Sequence, residues 1–255
     1  MKAIRTAFAV VACVSVTRIA SADSQPRETE TGLPERWAQP AITVVLDPSL
    51  EDLGAGSTDA VRQAIGTWLA DVPGLPAVTF EDAATRTPSA RDGKSVILAA
   101  PITLAGHEKD LALTTTYADD ATGDILEADI VFNTNYAFAP MPAPAGTCHN
   151  VFDVGAVATH ESGHFFGLDE DWSDDKTTMW VVTDSCDAHK RVLTPEDTDA
   201  ITTLYHPPDS LTASCDASPA KPGGAAGLAA IALGLVAVRL RRRDVGRRDR
   251  AGAGR

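Results

Sequence analysis

A chain of 255 residues, 44% hydrophobic and 5% aromatic, is long enough to bury a core of its own as one large domain or two small ones. The formal charge of −13 is unevenly spread: residues 1–22 hold Lys2, Arg5 and Arg18 and no acid, while residues 239–255 hold eight arginines against Asp244 and Asp249. Between these ends remain 11 basic and 33 acidic residues, a balance that repels phosphate backbones and argues against general nucleic-acid binding.

In chain order, Lys2 and Arg5 precede an apolar run from Ala7 to Val16 and then Ala20-Ser21-Ala22. That is the layout of a secretory signal peptide over residues 1–22. Residues 23–36 are polar and Pro-containing and read as a flexible leader. Alternation predicts a strand over Ala41–Leu46. Val61, Ala64, Ile65, Trp68 and Leu69 recur at helical spacing and predict a helix from Ser57 or Asp59 to Leu69, capped by Ser57. Ala77–Phe80, Val96–Ala99, Leu111–Tyr117 and Ile125–Phe132 read as strands, and Phe138–Gly146, rich in Pro and Ala, as a loop. The small apolar run through Phe152, Val154 and Ala156–Ala158 has helical character, and Pro195–Leu204 reads as a further helix with Thr194 as its cap. This order predicts an α/β (α+β) domain over 37–209, a mixed twisted sheet of about five strands packed by three helices.

Residues 210–222 have linker composition. Residues 223–255 begin with sixteen uncharged residues, Gly223–Val238, just under the roughly 17–25 that span a bilayer. Arg239 and Arg241–Arg243 follow directly and would hold that end in the cytoplasm. The two ends together predict an exported body at the cell surface, tethered to the membrane through its C-terminal segment. Cys13 would leave with the signal peptide; in an oxidising compartment Cys148 and Cys186 can pair, with Cys215 left over.

Between the first two of those cysteines lies His160-Glu161-Ser162-Gly163-His164-Phe165-Phe166-Gly167-Leu168-Asp169-Glu170. On a helix, His160 and His164 are four apart and project from one face toward one ion. Zinc accepts imidazole nitrogen and keeps an open position in catalytic sites. Glu161 is placed to reach a water activated by the metal, as a general base. Gly167 can take a positive φ and end the helix sharply, bringing residue 170 back toward the metal.

The run His-Glu-x-x-His-x-x-Gly-x-x followed by a third ligand resembles the metzincin zinc proteases. Met179, in Thr177-Thr178-Met179-Trp180, stands where that family places the methionine beneath the metal, and the resemblance extends toward the matrixin-like branch. Asp124–Asn133 is similar to the strand lining its substrate cleft, and Lys190–Asp197, leading to Leu204-Tyr205, to its C-terminal helix. The resemblance covers roughly residues 37–207. It implies one catalytic zinc held in a cleft by His160, His164 and Glu170, with Glu161 as base, Met179 and Gly167 as structural support, and a protein or peptide as substrate. The C-terminal segment resembles myxobacterial surface-sorting tails, with Ser214 in place of the usual Gly before Cys215.

One departure divides the functional readings. The third ligand is a His or Asp in the family and Glu170 here, with Asp169 and Asp171 as neighbours able to substitute. The acidic group Asp169–Asp171, with Asp174 and Asp175, is alternatively a Ca2+ or second zinc site or plainly solvated. Glu196 is a further third-ligand candidate, as in zinc proteases that take a glutamate from a later helix; it leaves Gly167 and Met179 without a role. Of the other histidines only His189 is near enough in sequence to reach the site. The two functions to be separated are an exported zinc metalloendopeptidase and a non-catalytic surface binding protein whose altered ligand no longer holds an active metal.

Overall fold

Val61, Ala64, Ile65 and Trp68 form one buried stripe along a helix that spans Ser57–Asp71 (α1), and that stripe organises the domain. In the computed structural model, residues 24–84, 91–141 and 148–207 are described. The expected signal peptide, linker and C-terminal tail with Cys215 lie outside them, as does most of the Pro/Ala-rich stretch after Met141. Among the described residues no helix is long and apolar enough to cross a membrane.

Strands Ala41–Leu46 (β1), Ala77–Asp82 (β2), Ser95–Ala100 (β3), Ala112–Ala118 (β4) and Ile125–Asn133 (β5) make one sheet in the order β2-β1-β3-β5-β4. All pairings are parallel except β4 with β5. Parallel strands are covered on both faces, and β3 and β5 are accordingly mostly buried, β5 carrying the buried Glu127, Asp129 and Asn133 among its apolar residues. Two-residue strands Phe138–Ala139 (β6) and Phe152–Asp153 (β7) pair separately within the stretch expected as loop and helix entry. Helix α2 (Val154–Phe165) packs against α1, and α3 (Pro195–Tyr205) closes the body after a short 3-10 turn at His189–Arg191. Trp68 ties the two larger helices together by donating its indole N–H to the Thr159 carbonyl at 2.8 Å. Fully buried Leu46, Leu50, Ile65, Ile97, Ile130, Phe132, Phe165 and Phe166 join Trp68 in the core. The expected mixed sheet of five strands with three α-helices is the fold.

Three sequence expectations are corrected. Ser57 is the first residue of α1 and its hydroxyl donates to the Gly54 carbonyl; the cap position is Gly56, in a left-handed conformation. Residues 24–36 are not a flexible leader: the Arg27 amide donates to the Gly167 carbonyl, Asp169 donates to Gln25, Glu35 donates to Arg27, Arg36 donates to Gly123, and Ile125 donates to the Arg36 carbonyl. Polar composition hid this because the segment is held by backbone hydrogen bonds rather than apolar burial. Finally, Ile125–Asn133, expected to line the substrate cleft, is an interior strand between β3 and β4, so the strand with an open edge beside the site is β4.

Candidate metal centre

Helix α2 enters the core at Asp153, whose carboxylate accepts the Gly155 amide and the Arg191 guanidinium. Every residue of α2 is buried, which is unusual for a helix carrying His160, Glu161 and His164. The small side chains at Gly155, Ala156, Ala158, Ser162 and Gly163 allow this close seating. A Cβ at Gly163 would stand 2.2 Å from Met179 Sδ and 3.0 Å from Trp68 Cζ2. Met179, fully buried, therefore packs directly beneath the helix between the two histidines.

Each imidazole is fixed by its inner nitrogen. His160 Nδ1–H donates to the Thr178 carbonyl and His164 Nδ1–H to the Leu168 carbonyl, both at 2.8 Å. This tautomer leaves the Nε2 lone pairs pointing at one place, as in zinc sites with carbonyl-oriented histidines. Gly167 has φ +104° and turns the chain so that Glu170 returns to that place. Glu170 Oε2 lies 3.5 Å from His160 Nε2, and Oε1 lies 3.4 Å from His164 Nε2. The three donor groups lie within 4.8 Å of one another.

That donor set fits a zinc ion. Glu170 Oε2 is buried and has no hydrogen-bond partner, and it faces two imidazole lone pairs, an arrangement a cation between them would relieve. Without metal, burial alone would raise the Glu170 carboxyl, but its contacts with His160 and His164 outweigh this and hold it well below the usual carboxylate range. Burial pushes His164 down, and Glu170 and Glu161 more than offset that, leaving it above its ordinary value.

The neighbours considered as ligands are placed elsewhere. Asp171 accepts hydrogen bonds from Ser173 and Thr177, and its backbone pairs with Met179 and Val181. Asp169 is exposed, and Asp174 and Asp175 lie on the exposed turn with Lys176. Glu196 is exposed on the first turn of α3. His189 is paired with Asp187 at 2.6 Å, beside a second cavity that Trp180 and Val182 also line. Among the described residues, the only cluster of three or more metal-binding side chains is His160, His164 and Glu170. Cys148 and Cys186 form a disulfide.

Glu161 does not join the ligand group. Thr114 Oγ1 donates to its Oε2 at 2.6 Å, tying the carboxylate to β4. Thr114 could not be singled out from sequence, since it is one of three consecutive threonines in a strand. Asp197 was legible only as part of a helix start: it completes a capping box with Thr194, and it also accepts the amides of Thr178 and Met179, fixing the turn that holds His160. Arg27 was hidden in the supposed leader, yet it lines the cleft and donates to the Thr114 carbonyl at 3.2 Å. The cleft, about 540 Å³, is further lined by Val157, Trp172 and Val181.

The matrixin family model matches residues 36–206. This chain is a matrixin. It is thus a zinc metallopeptidase-type domain, and the matrixin match covers the whole sheet, both histidines and the Met179 turn. None of the curated proteins matches the chain.

Proposed function

We propose that this matrixin is an exported zinc endopeptidase, tethered at the cell surface by its C-terminal segment. The observation that carries the activity is the convergence of His160, His164 and Glu170 on one point, with Glu161 held beside it by Thr114. His160, His164 and Glu170 would hold the ion; when bound, zinc polarises the peptide carbonyl and makes water nucleophilic near neutral pH. Glu161 accepts the proton of the attacking water and delivers it to the leaving amine. Thr114 keeps that carboxylate off the ligand set, so the same residue is free to take up and return the proton. The substrate lies extended against the open edge of β4, pairing its backbone by strand addition. Arg27 already occupies the Thr114 carbonyl and Glu35 accepts from the Thr116 hydroxyl, so the N-terminal segment takes up the edge at these two residues. Val181 and Val182, after the Met179 turn, supply apolar wall for a side chain next to the scissile bond. Export and tethering rest on the two basic ends and their apolar runs, and the Cys148–Cys186 bridge is in keeping with an oxidising compartment.

The decisive experiment uses the purified full chain, with zinc content and cleavage of an unfolded protein measured together. One zinc per chain, and cleavage lost in Glu161→Ala with zinc retained, is the expected result. A chain that holds no zinc and does not cleave would favour the non-catalytic binding protein, and cleavage that survives Glu161→Ala would overturn the assignment of Glu161 as the base.

A further inference from the structure

Between the two basic ends the chain carries 33 acidic residues against 11 basic, so a cation without a partner inside its cleft stands out. Besides the two imidazoles of the metal centre, three basic side chains line that cleft: Arg27, His107 and Lys109. His107 pairs with Asp110 at 2.7 Å, and Lys109 is exposed to water before β4. The carboxylates of the cleft are engaged as well: Glu161 by Thr114, Glu170 by His160 and His164, and Asp169 Oδ1 by the Glu170 amide. Arg27 differs from all of these. It is half-buried, its Nη1 donates to the Thr114 carbonyl, and among the described residues no carboxylate forms an ion pair with it.

The main chain fixes where that guanidinium stands. The Arg27 amide donates to the Gly167 carbonyl and the Arg27 carbonyl accepts the Glu35 amide, both at 2.8 Å, and Pro26 bridges antiparallel to Leu168. Gly167 and Leu168 form the turn that brings Glu170 back to His164, so Arg27 is built onto the same turn as the candidate ligands. At its other end Arg27 holds Thr114, whose hydroxyl orients Glu161. One backbone carbonyl uses only part of a five-donor fork. A planar guanidinium with donors to spare, in a groove partly closed to water, takes a carboxylate through paired, charge-assisted hydrogen bonds. We propose that Arg27 is a substrate-selecting residue, favouring peptides that carry Asp or Glu where the extended substrate passes Thr114. The proposal deepens the zinc-peptidase reading above and rests on it. Trp172, Val181 and Val182, which also line the cleft, are apolar, and the exposed Lys109 is screened by solvent, so the preference is strongest at one position of the substrate. At other positions the field of the acidic body favours basic residues over acidic ones.

The test uses the full-length, zinc-loaded chain and a panel of otherwise identical peptides, in which Glu, Gln or Lys is placed in turn at each position flanking the cleaved bond. The parent should show kcat/KM about tenfold higher for Glu than for Gln at one position, and no such preference at the others. Arg27→Gln should bring that ratio to about one, Arg27→Lys should keep most of it, and Arg27→Glu should invert it in favour of Lys. Arg27 also ties the N-terminal segment to Thr114, so zinc content and melting temperature are measured for every variant. A purely bracing role would lower cleavage of the Glu, Gln and Lys peptides by one common factor. That common loss overturns the proposal, as does a Glu-to-Gln ratio that survives Arg27→Gln. A parent that treats Glu and Gln alike at every position overturns it too, and this result needs no variant to fold. A parent that cleaves no peptide of the panel defeats the zinc-peptidase reading instead. The Kd of the Glu and Gln peptides for that chain and for Arg27→Gln then decides whether Arg27 selects a carboxylate: a parental difference lost in the variant supports the proposal, and equal values overturn it.

Discussion

Thr114 is the residue on which the division between ligand and base depends. Its hydroxyl holds Glu161 at 2.6 Å, and both groups are buried, so removing the hydroxyl frees the carboxylate to drift toward the cation. Thr114→Val should lower kcat about tenfold with zinc content unchanged, whereas Glu161→Ala should cost about 10²–10⁴-fold; single-turnover cleavage alongside metal analysis separates the two. The Glu170–His164 pair makes a second prediction, about pH. In the metal-free protein Glu170 titrates below its ordinary 4.5 and His164 above its ordinary 6.5. Their attraction is therefore fully present between those values. It is lost on the acid side as pH falls through the lowered Glu170 pKa, and on the alkaline side as pH rises through the raised His164 pKa. Zinc needs the neutral imidazole, so its own stabilisation grows over that alkaline range. The gap in melting temperature between zinc-loaded and chelator-treated protein should widen from pH 6 to pH 8; a gap independent of pH would show that these residues do not hold the ion.

At the scale of elements, the seat of α2 on the Met179 turn is a contact with no room for a side chain. Gly163→Ala would drive a methyl into Met179 Sδ and Trp68, and should destabilise by ~1–3 kcal/mol. Chemical denaturation would measure that loss, and zinc affinity should fall with it because Thr178, one residue before Met179, orients His160. The helices and strands were legible in the sequence because each buries a face with its own period: Val61, Ala64, Ile65 and Trp68 for α1, alternation in Ala41–Leu46 for β1. His160, Glu161, His164 and Glu170 were legible because one helix and one glycine turn set their spacing. What stayed hidden depends on contacts between distant segments. Alternation in Ile125–Phe132 is compatible with an edge or an interior strand, and only the antiparallel return of β4 decides which. Arg27 and residues 24–36 carry little apolar signal, since Arg27 meets Gly167 and Glu35, and Gln25 meets Asp169, through backbone groups. Lys190 reads as surface charge until the turn at His189–Arg191 buries it. Deleting residues 24–35 should therefore lower the melting temperature by several degrees and leave Gly167 and Asp169 without their backbone partners, with reduced zinc affinity as the accompanying readout.

For the molecule as a whole, the Cys148–Cys186 bridge closes a stretch that contains α2, the three candidate ligands and Met179. With its ends 38 positions apart in sequence, the loop-closure model gives a stabilisation of about 4 kcal/mol. Cys148→Ser/Cys186→Ser should lose roughly that amount in urea unfolding, measured at one fixed zinc concentration. The same ring matters to a protease surrounded by copies of itself. Its most exposed turn, residues 172–176 with Trp172 74% exposed, lies inside the ring. A single cut there by a neighbouring molecule leaves both fragments covalently joined, with His160 and Met179 still on opposite sides of the break and still facing each other. Self-digestion at that turn would pass unnoticed on a non-reducing gel and show as two bands only after reduction, so the molecule can be nicked and remain one particle.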